Sequence, residues 1–130
     1  VLSPALTHGQ MLTAAAPVAA DKVLVVSRNG YLSAVVGQLA GSVTQVAPDG
    51  DWTAGGPYSL VLVDGAIEVA PPALSPALTA EGRVVTGMVD RGVTRLEIGR
   101  KVAGEVAFTA LGEADFAVLP EFAAKQSWSF

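Results

Sequence analysis

Asp21-Lys22-Val23-Leu24-Val25-Val26-Ser27-Arg28-Asn29-Gly30-Tyr31 is the stretch whose reading decides the fold. Val23 to Val26 is an unbroken apolar run, rich in β-branched residues. A strand with one wet face alternates apolar and polar residues. A short run without alternation instead reads as a parallel strand covered on both faces. Ser27 to Gly30 is then a turn. Tyr31 opens a helix expected to reach Ala40, with Tyr31, Ala34, Val35 and Leu39 on one face. Gly41 stands where a helix is usually capped. Ser42 to Ala47 alternates enough for a second strand. Residues 22–47 therefore make a strand–helix–strand unit, the building block of doubly wound sheets.

Upstream, Ser3-Pro4 reads as a helix start, because serine caps well and proline is tolerated at the first helical position. Ala5, Gly9, Leu12 and Ala16 follow at helical spacing and predict one narrow packing face ending at Pro17. Downstream, residues 48–57 are rich in Gly, Asp and Pro and read as turns. Tyr58 to Val63 is a third apolar strand, closing on Asp64-Gly65. Pro71 to Ala80 predicts a short helix broken by Pro76. Arg83 to Val89 and Val93 to Lys101 flank Asp90-Arg91-Gly92, a hairpin signal. Val106 to Leu111 and Phe116 to Leu119 are further strand candidates. Early strand–helix–strand units followed by a late hairpin predict a mostly parallel sheet with an antiparallel C-terminal edge.

Composition narrows the function classes. Apolar residues make up 51% of the 130 residues and charged residues 15%, against about 25% charged in an ordinary soluble domain. That suits a sheet buried on both sides, or apolar surface that a partner covers. Net charge is −4, with 8 basic and 12 acidic residues scattered along the chain. No basic stripe exists, so nucleic-acid binding has no support. Absence of cysteine excludes disulfides and thiolate chemistry. With one histidine, a histidine-rich metal site is excluded too, and no metal is expected. No apolar run approaches the ~18 residues of a membrane helix, and no signal peptide is visible. The expected location is cytoplasmic, in one domain.

Three constellations can carry chemistry. Open α/β sheets bind ligands beyond the carboxyl ends of their strands, where the strand order reverses. The turn Ser27-Arg28-Asn29-Gly30-Tyr31 falls there. Nucleotide-type cofactors need glycines in that turn, for positive φ and for close backbone approach. Only Gly30 supplies one, so spacing alone favours a plain strand-to-helix turn. Asp64 with Glu68 follows the third strand and either orients a ligand or forms a solvated acidic pair. Ser3 is an N-cap whose helix end also favours a bound anion. His8 lies one turn further on and reads as a packed or surface histidine.

Taken together, Asp21-Lys22-Val23-Leu24-Val25-Val26 and Gly30-Tyr31-Leu32-Ser33-Ala34-Val35-Val36 resemble the pattern of the protein-L-isoaspartate O-methyltransferase family. That pattern runs Asp-Arg-Val-Leu-x-x-Gly-x-Gly-x-Gly-Tyr-x-x-Ala-x-Leu. Val1-Leu2-Ser3-Pro4 is similar to the family's Thr-Ile-Ser-x-Pro segment, which carries an active-site serine. Tyr58 to Ala66, ending Val63-Asp64-Gly65-Ala66, resembles its fourth-strand motif. Gly82-Arg83-Val84-Val85 and Leu119-Pro120-Glu121-Phe122 sit where the family has similar runs.

The resemblance implies an α/β, doubly wound, Rossmann-like methyltransferase sheet with a C-terminal antiparallel hairpin. It implies S-adenosylmethionine as cofactor and methyl transfer to isoaspartyl carboxylates of damaged proteins or peptides, a protein-repair transferase. Ser3 would be the catalytic contact to the acceptor carboxylate. Ser27, Asn29, Gly30, Tyr31, Asp64 and Gly65 would line the cofactor site. Several departures stand beside it. Ser27 replaces the first loop glycine, and Arg28 enters the space of the cofactor's methionine portion. A residue other than glycine at positive φ there would cost about 1–2 kcal/mol. Gln45-Val46-Ala47 lacks the family's ribose-gripping acid. Residues 48–57 replace a helix and strand, and the family's N-terminal helices would lie upstream of Val1. These departures favour an alternative: a cofactor-binding-deficient pseudo-methyltransferase serving as an interaction or oligomerisation module. The tail Ser127-Trp128-Ser129-Phe130 could insert into a neighbouring chain as a homo-oligomer contact.

Overall fold

The computed structural model describes residues 5–122. Ser3 and the tail around Trp128 lie outside them. The elements are α1 (Ala5–Ala15), β1 (Lys22–Val26), α2 (Tyr31–Val36), β2 (Ser42–Val46), β3 (Tyr58–Ile67), α3 (Leu74–Ala77), β4 (Leu78–Asp90), β5 (Val93–Val102), β6 (Glu105–Glu113) and a 3₁₀ turn, Pro120–Phe122. One six-stranded sheet runs in the order β2-β1-β3-β4-β5-β6. β2, β1, β3 and β4 are mutually parallel, with Val23 opposite Val43 on one side and Leu60 on the other. β5 and β6 are antiparallel additions at the edge.

The unbroken apolar runs become strands buried on both faces. Val23 to Val26 are all buried, as are Leu60 to Val63. Successive strand residues face opposite sides, so each strand feeds two cores. Val23, Val25, Leu60 and Leu62 meet Met11 and Ala15 of α1 and Leu32 and Val36 of α2. Leu24, Val26, Val61 and Val63 meet Trp52, Leu74 and Leu78 on the other face.

The helices pack on faces other than those expected. In α1 the buried residues are Thr7, His8, Met11 and Ala15, while Gly9 and Ala16 are exposed. A purely apolar reading of the spacing passed over Thr7 and His8, which are buried because each has a hydrogen-bond partner. In α2 Leu32 and Val36 face the core; Tyr31 and Leu39 are exposed. α2 also stops at Val36 and is capped by Gly37, not Gly41. The helix expected over 71–80 shrinks to four residues, and its last part joins β4. The hairpin at Asp90-Arg91-Gly92 forms as expected. Arg91 (φ 52°) and Gly92 (φ 79°) are both left-handed, which matches the twist of the flanking strands. Ala103 (φ 53°) and Gly104 (φ 82°) repeat the device between β5 and β6. Of 116–119, only Val118 forms a bridge, to Ala66.

β2 returns to β3 without a helix. A parallel crossover ordinarily takes a dozen or more residues; here residues 47–57 make the passage. Trp52 on this connection is 2% exposed and does the covering that a helix would do. Its Nε1 donates to the Pro48 carbonyl at 3.1 Å, and its ring meets Phe122 edge-on. Among the described residues, the second face thus has only α3, this connection and the 3₁₀ turn as cover. The α/β architecture with an antiparallel edge stands; among the described residues α1 and α2 cover one face of the sheet and the four-residue α3 lies on the other.

One ion pair joins the bases of four elements. Arg83 on β4 donates to both carboxylate oxygens of Asp21, at 3.2 and 3.0 Å, and to the Ala15 carbonyl at the end of α1. Ser59 on β3 and the Val18 N–H also donate to Asp21. The hydrogen bonds from Arg83, opposed by burial and aided by Val18 and Ser59, lower the Asp21 pKa to about 2.

Because that pKa is depressed, the stabilisation is present above the unfolded value near 4 and is lost as pH falls towards 2. Asp21→Asn should cost about 2 kcal/mol at pH 7, and the difference from the native chain should shrink to about 0.4 kcal/mol at pH 2 and disappear below it in urea titrations. A pH-independent difference would contradict this assignment. Trp52→Ala should cost about 3–5 kcal/mol by the same measurement, as expected for a core aromatic. A loss below about 1 kcal/mol would show that the connection is not a core layer.

Candidate functional site

The chain leaves β1 to reach β2 on one side and later returns to β3 on the other. The strand order therefore reverses at β1, and the crevice lies beyond the carboxyl ends of β1 and β3. The structure brings Ser27, Arg28 and Asn29 from the β1 turn to this point, beside Asp64 from β3.

Asp64 is 4% exposed. Its Oδ1 lies 3.1 Å from His8 Nε2, and its Oδ2 accepts from Ser27 Oγ at 3.3 Å. One buried carboxylate thereby links α1, β1 and β3. The bond to Asp64 puts the His8 proton on Nε2 if the ring is neutral. His8 Nδ1 is buried without a partner among the described residues. Tyr31, half exposed, stacks on the His8 ring with centroids 5.7 Å apart. Glu68 is exposed whereas Asp64 is buried, so the two are not a solvated acidic pair. Ser3, the expected catalytic serine, lies outside the described residues.

The turn is unstrained. Positive φ among non-glycine residues occurs at Ala16, Arg91 and Ala103, not at 27–29. Gly30 itself has φ −87°, and a Cβ there would meet only Gln45 Oε1 at 3.8 Å. The cost expected for a non-glycine loop is not incurred, because the turn follows a different path from a glycine-dependent one. Side chains hold it instead. Asn29 Oδ1 accepts from the Tyr31 N–H at 3.0 Å, at the first turn of α2. Gln45, at the end of β2, accepts from Ser33 Oγ and donates to the Ser27 carbonyl. The end of β2 thus carries an amide and no carboxylate at residues 45–47. The nearby Asp49 faces Arg28 at 3.5 Å.

The C-terminal segment fills the crevice. The Ala66 N–H donates to the Ala117 carbonyl and the Leu119 N–H to the Ala66 carbonyl, both at 2.8 Å. Leu119 then lies against Gly65: a Cβ on Gly65 would sit 2.6–2.9 Å from its branch carbons. Gly65 therefore makes room for Leu119. Arg28 Nη2 donates to Glu121 Oε2 at 2.5 Å across the mouth. Glu121 is held below the ordinary carboxylate range, first by its own backbone N–H and then by Arg28. The space left is about 30 Å³. Cofactor pockets usually measure about 300–1,000 Å³. The residues present do not fit S-adenosylmethionine in this arrangement.

Of the residues the resemblance named, Ser27, Asn29 and Asp64 line one small cleft, Tyr31 stacks on His8, Gly65 lies against Leu119 and Gly30 is exposed. Sequence reading missed His8, Leu119 and Glu121 as members of the cluster. His8 and Asp64 are 56 residues apart, and Arg28 and Glu121 are 93 apart. No local periodicity connects such positions. The available signal was chemical: the chain's only histidine, one turn into a helix bound for the core.

If Asp64 is the shared acceptor, His8→Ala and Asp64→Ala should be non-additive in urea denaturation, with a coupling of about 1–3 kcal/mol. Additive losses would separate the two residues. Gly30→Ala should change stability by less than about 1 kcal/mol, since φ and space both admit alanine. A loss above about 2 kcal/mol would mean that the turn requires a glycine conformation after all.

No protein-family model matches the chain, and neither does any curated protein. Solved structures do. A protein-L-isoaspartate O-methyltransferase superposes with a TM-score of 0.75 at 15% identity, covering 86% of this chain and 46% of that one. A Plasmodium falciparum protein described as a beta-aspartate methyltransferase, in complex with S-adenosyl-L-homocysteine, superposes with a TM-score of 0.73 at 13% identity. That match covers 92% of this chain and 76% of the other. The chain thus spans about half the length of the first neighbour and about three-quarters of the second. At these identities the likeness establishes the architecture: this chain has the methyltransferase fold.

Proposed function

We propose that the chain is a protein-L-isoaspartate O-methyltransferase-like unit that has closed its cofactor crevice and works as an interaction module. One observation carries this reading: Leu119 sits where a ligand would enter, leaving about 30 Å³. Three features support it. Arg28 bridges to Glu121 across the mouth. Gln45 replaces the carboxylate that would grip a ribose. Ser27, Arg28 and Asn29 form a turn of negative φ that offers no glycine cradle. Each feature replaces a cofactor contact with a contact inside the chain.

The second reading is the activity that the resemblance implies, methyl transfer from S-adenosylmethionine to isoaspartyl carboxylates of proteins. Asp64 and Gly65 at the strand-order reversal favour it. It requires residues 117–121 to leave the crevice, breaking the Arg28–Glu121 pair. That pair is about half exposed on the arginine side, and such pairs contribute at most about 1 kcal/mol. The backbone bonds from Ala66 to Ala117 and Leu119 hold the segment more firmly.

Titration calorimetry with S-adenosylmethionine and S-adenosyl-L-homocysteine distinguishes the two. The expected result is no saturable heat below about 1 mM, an affinity no better than about 4 kcal/mol. Micromolar binding would overturn the closed-crevice reading and restore the enzyme.

A further inference from the structure

The outer side of α1 and the β5–β6 hairpin form a second concave surface, which shares no lining residue with the crevice. An apolar groove of about 670 Å³ has Leu96, Ala14 and Gly9 along it, with Leu6 and Leu111 at its sides. Leu6 is 75% exposed and Leu111 50%, although both are large and apolar. The groove continues past Leu6 and Gln10 into a cleft of about 380 Å³ lined by Thr94, Glu113 and Asp115. Thr94 and Thr7 spend their hydroxyl protons on the Ala114 and Asp115 carbonyls. The Glu113 and Asp115 carboxylates are exposed and have no cationic partner among the described residues.

β6 is the edge of the sheet and pairs only with β5 among the described strands. Natural edges are usually blunted by lysine, proline or inward charge. Glu105 to Glu113 has none of these between its end glutamates; it reads Val-Ala-Phe-Thr-Ala-Leu-Gly, and its one irregularity is a bulge that leaves Leu111 without a partner on β5, so the regular edge runs from 105 to 110. An extended segment can therefore add to this edge through main-chain hydrogen bonds. Charge selects the occupant. Two copies pairing antiparallel over all nine residues would set Glu105 against Glu113 at both ends, and like charges directly opposite are destabilising. The chain as a whole is also acidic.

We infer that the β6 edge and its groove dock an extended segment of a partner protein. That segment places an aliphatic or aromatic side chain between Leu6 and Leu111, and a lysine or arginine against Glu113 and Asp115. The inference rests on the interaction-module reading, whose own test, the cofactor titration, reads a different part of the molecule.

The test is selection of the full chain against a random twelve-residue phage-displayed library. Synthesised hits are then measured by fluorescence anisotropy. Expected hits pair an apolar anchor with Lys or Arg and weaken about tenfold or more on Glu113→Lys with Asp115→Lys. Selection repeated on that variant should enrich acidic peptides. Leu111→Asp should abolish binding, with circular dichroism confirming that both variants fold. Hydrogen exchange should show new protection along 105–113 in the bound state. Hits without basic enrichment, affinity indifferent to charge reversal, or no hits would overturn the inference. A concentration-dependent dimer lost on Leu111→Asp would also overturn it, assigning the edge to a second copy.

Discussion

β1 and β3 are apolar on both faces, and that constraint governs the rest of the molecule. Burying an aliphatic side chain contributes about 1.5–3 kcal/mol, so neither face can be left wet. On one side α1 and α2 supply Met11, Ala15, Leu32 and Val36. On the other, no long helix is present among the described residues. Trp52, Leu74 and Leu78 meet the need, with Phe122 partly buried against them. The 47–57 connection is more than a link, because its tryptophan forms part of a layer.

The same economy explains the crevice. In an open sheet the strand ends at the order reversal leave polar groups and space, which a ligand normally occupies. Here the protein satisfies most of them internally, His8 Nδ1 excepted among the described residues. Asp64 is bonded by His8 and Ser27, the Ala66 backbone by Ala117 and Leu119, and the Ser27 carbonyl by Gln45. Buried polar groups need partners wherever they arise. Once the chain supplies them itself, the case for a bound cofactor weakens. Asp64 and Gly65 at the end of β3 both engage other residues of this chain, His8 and Ser27 in one case and Leu119 in the other.

The hairpin at Asp90-Arg91-Gly92 was legible for a local reason, and the structure repeats the device at Ala103-Gly104, which the sequence reading did not pick out. Arg91-Gly92 and Ala103-Gly104 place a glycine second in each two-residue turn, where positive φ is required. The Val23–Val26 strand was equally legible, since an apolar run without alternation has few other uses. Helix faces were harder to read. Leu32 and Val36, not Tyr31 and Leu39, face inward because α2 must lie against Val23 and Val25. The hydrophobic spacing of α2 allowed either choice, and the sheet decided it.

Sequence alone determined the order of strands and turns along the chain and the double burial of the central strands. Those follow from side-chain polarity and backbone preference, which act over a few residues. Tertiary structure decided that His8 is buried against Asp64, that Leu119 fills the space beside Gly65 and that Arg28 reaches Glu121. These contacts join positions far apart in the chain. Their existence depends on how closed loops and packed layers share one volume, which no local pattern encodes.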